Sequence, residues 1–163
     1  MSLLDAVDYT RWFNDKENIR FMSAQDCPSF KKEQKKLKEI LKNKNRFVFT
    51  IVLESKNIGF CSTNINFKSN CVNIGLMIGE KKEWNKGYGQ EALRAVINYL
   101  FKEMRMNRVE ICVYKNNKRA VNVYKKIGFK KEGLKRQSHW NFVTNKYDDE
   151  IIMSILRKEW KSK

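Results

Sequence analysis

The sequence predicts an α/β (α+β) fold, a mixed, mostly antiparallel twisted sheet flanked by helices. Three observations carry this expectation. Strand-like runs follow one another between residues 47 and 78, separated by turn chemistry. After a glycine-containing segment the periodicity becomes helical and then alternates strand, helix, strand. The 163 residues are 42% hydrophobic, close to ordinary globular usage, with one proline, seven glycines and no low-complexity linker or repeat, so residues 1–163 read as a single domain.

Each element has its own justification. Between Asp5 and Met22, Val7, Tyr9, Trp12, Phe13 and Ile19 fit the apolar face of one or two short helices. Ser29 is placed to cap the next helix, with Phe30, Leu37, Ile40 and Leu41 on one face and Lys31, Lys32, Lys35, Lys36 and Lys38 around the rest. Runs from Phe47 to Leu53, Ile58 to Asn66 and Val72 to Ile78 form an antiparallel meander, the last two separated by the turn-rich Lys68, Ser69 and Asn70. Ala92, Leu93, Val96, Ile97, Leu100, Phe101 and Met104 make a helical stripe from about Gly89 to Arg105. A strand from Arg108 to Tyr114 follows. Asn116 or Asn117 then caps a helix carrying Ala120, Val121, Tyr124 and Ile127 on one face and ending at Gly128. Strands from about Phe129 to Lys135 and Glu150 to Leu156 close the pattern, joined by a long loop or hairpin through His139 and Tyr147. The order requires one right-handed crossover.

Charge and cysteine usage narrow the function classes. With 34 Lys+Arg against 18 Asp+Glu the formal net charge is +16 and the pI about 9.8, a balance that invites polyanions. The bases are mostly lysines spread along the chain, which suits a solvated surface, and no nucleic-acid motif accompanies them. A phosphorylated cofactor is a polyanion that also fits. Cys27, Cys61, Cys71 and Cys112 show no CxxC spacing and His139 is the single histidine, so no metal site is expected. Cys61, Cys71 and Cys112 read as buried, reduced thiols. Apolar runs reach only about seven residues, and Asp5 and Asp8 stand where a secretory signal needs positive charge, so the expected setting is cytoplasmic, away from the membrane.

The segment WNKGYGQEA, Trp84 to Ala92, lies between a buried strand and a long helix. Two glycines there allow a tight turn that leaves successive N–H groups facing one concavity at the positive end of the helix, an anion nest. It lacks the G-K-[ST] of a Walker loop and the six-residue dinucleotide fingerprint. Together with NKRAVNVYKKIGF, Asn117 to Phe129, it resembles the acyl-CoA-binding core of the GNAT superfamily of N-acetyltransferases. That family's patterns are Gln/Arg-x-x-Gly-x-Gly/Ala and Asn-x-x-Ala-x-x-x-Tyr-x-x-x-Gly-Phe. Trp84 in the first position, EGLKR (Glu132 to Arg136) and the NKYDDEIIMSILRKEW tail resemble the branch of ribosomal-protein alanine and spermidine acetyltransferases. Only MSLL precedes Asp5, so the first strand usual in the family is expected to be very short or missing.

The resemblance implies splayed central strands and acetyl-CoA as the cofactor, released as coenzyme A, with no metal. The Leu76, Met77 and Ile78 backbone is expected to pair with the pantetheine arm as a sheet edge does. Lys86, Gly87, Tyr88, Gly89 and Gln90 are expected to hold the pyrophosphate through backbone N–H groups, and Asn117 to hydrogen-bond the cofactor while also capping its helix. Tyr124 is the expected catalytic acid for the departing thiolate, since reference pKa values of about 10 and 8.5 allow a modest contribution, roughly tenfold to a thousandfold. A backbone N–H near Met77 or Ile78 is a candidate for the oxyanion.

The general base is less defined. Related sequences often carry Glu two residues before the central-strand glycine, where this chain has Asn73. Deprotonating an alkyl ammonium at pH 7 costs about 4 to 5 kcal/mol, and an α-amino group only about 1, so the missing carboxylate favours a low-pKa amine. Glu80, Glu83 and His139 are the alternatives considered. The expected partner is thus a primary amine, either a small molecule or a protein N-terminus, with a homodimer left open. The competing reading from another class is a nonenzymatic nucleic-acid-binding module using Trp84, Tyr88 and lysines.

Overall fold

The computed structural model describes residues 2–22 and 27–161. A 3-10 turn, Leu3–Asp5, is capped by Ser2, whose Oγ accepts from the Leu4 N–H. It runs into α1 (Ala6–Phe13) and α2 (Lys16–Ile19), and among the described residues no strand precedes them. Then come α3 (Phe30–Lys42), β1 (Arg46–Leu53), β2 (Lys56–Asn66), β3 (Cys71–Ile78), α4 (Tyr88–Lys102), β4 (Arg108–Tyr114), α5 (Lys118–Ile127), β5 (Lys130–Asn141) and β6 (Lys146–Leu156).

The six strands form one sheet in the order β1-β2-β3-β4-β6-β5. All neighbours are antiparallel except β3 and β4, which are parallel and joined through α4. That exception positions the site. β3 and β4 pair only at Cys71↔Arg108, Val72↔Val109 and Asn73↔Glu110. Beyond Asn73 the two strands part, and the sheet opens as a V.

Each face of the sheet carries its own core, because strand side chains alternate. On one face Leu93, Val96, Ile97 and Leu100 of α4 and Val121, Tyr124 and Ile127 of α5 pack on Cys61, Ile65, Val72, Ile74, Val109 and Met153. On the other, Tyr9, Trp12 and Phe13 of α1 and Leu37 and Ile40 of α3 pack on Phe60 and Met77. The register pairs Phe60 with Met77 and Ser62 with Gly75, which puts Asn73, Gly75 and Met77 on the α1/α3 face and Leu76 and Ile78 on the α4 face.

Several expectations need correction. Val7 is exposed, turned away from the Tyr9, Trp12 and Phe13 face. On α3, Phe30 and Leu41 are exposed and Glu33 takes the buried stripe with Leu37 and Ile40, at the i, i+4 and i+7 positions that one helix face shares. Cys61 is buried, but Cys71 and Cys112 are only half-buried. β5 and β6 extend beyond the expected bounds into a long hairpin, because Asn141 Oδ1 accepts from the Val143 and Thr144 N–H groups and fixes the turn. His139 and Tyr147 are therefore strand residues.

Candidate active site

The V between β3 and β4 opens into a cavity of about 930 Å³ that runs from the N-terminus of α4, past α5, to the space under α1 and α3. Leu76, Met77, Ile78, Gly87, Tyr88, Gly89, Gln90, Asn117 and Tyr124 all line it. Lys86 does not. Its ammonium points to Glu83, with Nζ 3.0 Å from Oε2.

The backbone of β3 supplies an unpaired edge. The Gly79 N–H donates to Ile58 O at 2.8 Å, so by strand alternation the Met77 and Gly75 amides also face β2, while those of Leu76 and Ile78 face the gap left by β4. Of the two amides considered for an oxyanion, the Met77 N–H is thus engaged in the ladder and the Ile78 N–H is available. The Ile78 carbonyl is already held, accepting from Trp84 Nε1 at 2.7 Å.

Trp84 explains itself through that bond. Its indole pins the glycine loop to the end of β3, and the Arg119 guanidinium lies 4.5 Å from its ring, tying the loop to the start of α5. Gly87 caps α4 with φ +91, a left-handed geometry that side chains resist, and its carbonyl accepts from the Gln90 and Glu91 N–H groups. The first-turn N–H groups of Tyr88 and Gly89 have no intrahelical acceptor and carry the positive end of the helix dipole, while that of Gln90 is already engaged by Gly87. Gly89 serves a different need: a Cβ there would lie 3.3 Å from Leu76 Cδ2 and 3.5 Å from Ile78 Cγ1, so its absence brings α4 close to β3. Lys118 and Arg119 line the cavity beside this cradle, where Lys86 does not, and put two cations next to its N–H groups. Sequence reasoning passed over both because basic residues are everywhere in this chain.

Asn117 caps α5, its Oδ1 accepting from the Ala120 N–H at 3.1 Å, and no described residue accepts from its Nδ2. Tyr124 projects from the next turns, 6% exposed, with its ring 5.9 Å from that of Phe129. Burial raises its pKa well above the ordinary phenol value, with nearby Cys61 adding to the effect. Its hydroxyl therefore stays protonated, and it makes no hydrogen bond to any described residue.

The candidate bases separate sharply. Glu80 accepts from Arg11 and from Trp12 Nε1 at 2.8 Å, and the Arg11 hydrogen bond holds its pKa below the usual carboxylate range, so it is a structural anion. Glu83 lines the cavity but is paired with Lys86. His139 lies outside the cavity lining, its ring 5.6 Å from that of Tyr114. Asn73 lines the cavity and cannot accept a proton. Three carboxylates that sequence reasoning missed also line it: Glu17 on α2, which is paired with Lys81, Glu150 on β6, which accepts from Ser138 Oγ at 3.1 Å, and Glu33 on α3. For Glu33 the signal was legible, a charge on an otherwise apolar helical stripe.

The fold and cleft define an acyl-CoA-type transferase, and comparison with known proteins agrees. The family model described as Acetyltransferase (GNAT) domain matches residues 1–130. An uncharacterized N-acetyltransferase, p20, of Bacillus licheniformis is 26% identical, over 98% of this chain and 92% of its own length. An uncharacterized N-acetyltransferase of Bacillus subtilis, YnaD, is 31% identical over 73% of this chain and 69% of its own. Among solved structures, spermidine N-acetyltransferase from Vibrio cholerae, in complex with CoA and spermine, superposes with a TM-score of 0.90 at 18% identity, covering 98% of this chain and 94% of that one. The chain belongs to the GNAT acetyltransferase family. It is an acetyl-CoA-dependent N-acetyltransferase.

Proposed function

We propose that the enzyme acetylates a primary amine by direct attack within a ternary complex, with acetyl-CoA entering from the α4 and α5 side of the V and the amine from the α1 and α3 side. The observation that carries this reading is the early parting of β3 and β4, which joins a phosphate cradle to a second, differently lined pocket through one opening.

Bound acetyl-CoA supplies an activated acetyl thioester. The outward amide and carbonyl of Leu76, on the β3 edge that continues through Met77 to Ile78, suit the pantetheine arm, and the cradle at Gly87, Tyr88, Gly89 and Gln90 suits the diphosphate. The Ile78 N–H is available to stabilise negative charge on the carbonyl oxygen. Tyr124 keeps a proton near where sulfur departs. Its raised pKa does not preclude this role, because the desolvation that raises a phenol raises a thiol in the same place. Cys61 illustrates this, pushed up to about 12 by burial alone. The unpaired cysteines suit a reducing cytoplasm.

The test is calorimetry with acetyl-CoA followed by an amine screen read as CoA release. Saturable binding and amine-dependent release are expected. Absence of acetyl-CoA binding together with salt-dependent RNA binding would overturn the reading in favour of a nucleic-acid module.

A further inference from the structure

The acceptor half of the cavity contains a carboxylate whose burial calls for an explanation. Glu33 is 1% exposed, among the largest fully buried side chains of the molecule, and lies on the α3 stripe with Leu37 and Ile40. Its Oε1 is 3.5 Å from Lys36 Nζ, which also sits 4.5 Å from the Phe13 ring centroid. Its Oε2 is buried and has no hydrogen-bond partner among the described residues. A buried carboxylate oxygen left unpaired is costly, and such atoms are rare in native structures.

The surroundings say what partner is missing. Tyr9, Phe13, Leu37, Ile40 and Phe60 are largely apolar walls, and Gly75 and Ser62 leave space on the facing strands. Asn18 lines the same cavity with a second buried, unpartnered acceptor, Oδ1. Its orientation is fixed because its Nδ2 donates to the carbonyls of Gly79 and Trp12. Two acceptors without donors mark a ligand rich in N–H. Of the other charged residues lining this half, Arg20, Lys36 and Arg46 are cations and Glu17 is an exposed carboxylate already paired with Lys81, so Glu33 is the buried anionic locus there.

We infer that Glu33 is the specificity-determining residue that binds an ammonium group of the acceptor. The inference rests on the proposed amine acetylation and adds what recognises the amine. The carboxylate that Asn73 lacks on β3 is provided instead from α3, across the same pocket. Phe13 and Phe60, with ring centroids 5.9 Å apart, and Met77, paired with Phe60, connect Glu33 to the strand edge where acetyl transfer is proposed. The bound ammonium is either the reacting amine or a second cationic group of the same molecule.

Pentylamine, 1,5-diaminopentane and 1-pentanol distinguish these sources. Their affinities are measured by calorimetry at pH 7 on the full chain, with and without CoA. The wild type is expected to bind at least one of the amines tenfold or more tighter than the alcohol, and Glu33→Gln to abolish that preference. Leu37→Ala, which alters the apolar wall alone, is expected to weaken amine and alcohol alike. A preference for pentylamine assigns the bound group as the reacting amine, and one confined to diaminopentane assigns it as a second cation. No preference for ammonium over alcohol in the wild type, or an unchanged preference in Glu33→Gln, overturns the inference. Failure of CoA itself to bind counts against the acetyltransferase reading, separately from the result at Glu33.

Discussion

Tyr124 and Arg119 illustrate how a side chain's role follows from what surrounds it. Tyr124 is buried at the edge of the V with a protonated hydroxyl and no hydrogen bond to a described residue. Tyr124→Phe removes one oxygen and almost no packing, so turnover is expected to fall roughly tenfold to a thousandfold with acetyl-CoA affinity nearly unchanged. Unchanged turnover across pH removes the acid role. Arg119 and Lys86 make a second comparison at this scale. Lys86 is exposed and paired with Glu83, whereas Arg119 lines the cavity and packs on Trp84. Arg119→Ala is expected to weaken acetyl-CoA binding by roughly 1.5 to 3 kcal/mol if it meets a phosphate, and Lys86→Ala to leave it nearly unchanged. Titration calorimetry of the two variants checks both outcomes, and equal losses would put the phosphate charge on Lys86 after all.

The glycine loop and α4 act as one element, and its two glycines should fail differently. Gly89→Val places a branched side chain within 3.3 Å of Leu76, so α4 must lift from β3 or the strand side chains must move, an overpacking of about 1 to 3 kcal/mol. Gly87→Ala meets nothing within 4 Å and costs only its left-handed conformation, about 1 kcal/mol. Thermal unfolding should rank Gly89→Val as the more destabilised, and the reverse order would mean α4 does not bear on β3 as closely as described. The elements themselves were largely legible in the sequence, because apolar periodicity and the caps at Ser29, Asn117 and Gly128 are local signals. The lining of the half proposed for the cofactor was legible, except for Lys86, for the same reason, being two short motifs. The acceptor half was not. It is assembled from α1, α2, α3, β2 and β6 by long-range packing, so Glu33 and Glu150 face one space although more than a hundred residues separate them. The hairpin bounds were missed because β5 is largely exposed and has no alternation to read.

For the whole molecule, the +16 surplus makes carboxylate pairing a condition of stability. Self-repulsion among the cations opposes the compact state, and many acidic side chains are placed to offset it. Glu80 is held by Arg11, Glu159 by Lys130, and Asp149 by the Gln137 N–H and then Lys115, each with its pKa below the ordinary value. The strongest case is Glu132, lowered to about 2 by hydrogen bonds from Arg108 and then Ser154, in a network that joins β4, β5 and β6. Because the folded value lies below the unfolded one of about 4.5, the unfolded chain binds the proton first as pH falls. The stabilisation from Glu132 is therefore complete above about pH 4.5 and lost as the pH approaches 2. Glu132→Gln should lower the unfolding midpoint at pH 7, and its difference from wild type should shrink steadily between pH 4.5 and 2. Acid also neutralises the other carboxylates and leaves the cations unopposed, so the wild type should lose stability steeply in that same window. A variant as stable as wild type at pH 7 would mean that the exposed side of this network is screened by solvent and contributes nothing to the fold, and a difference unchanged at pH 2 would mean that the contribution of Glu132 does not come from its charge.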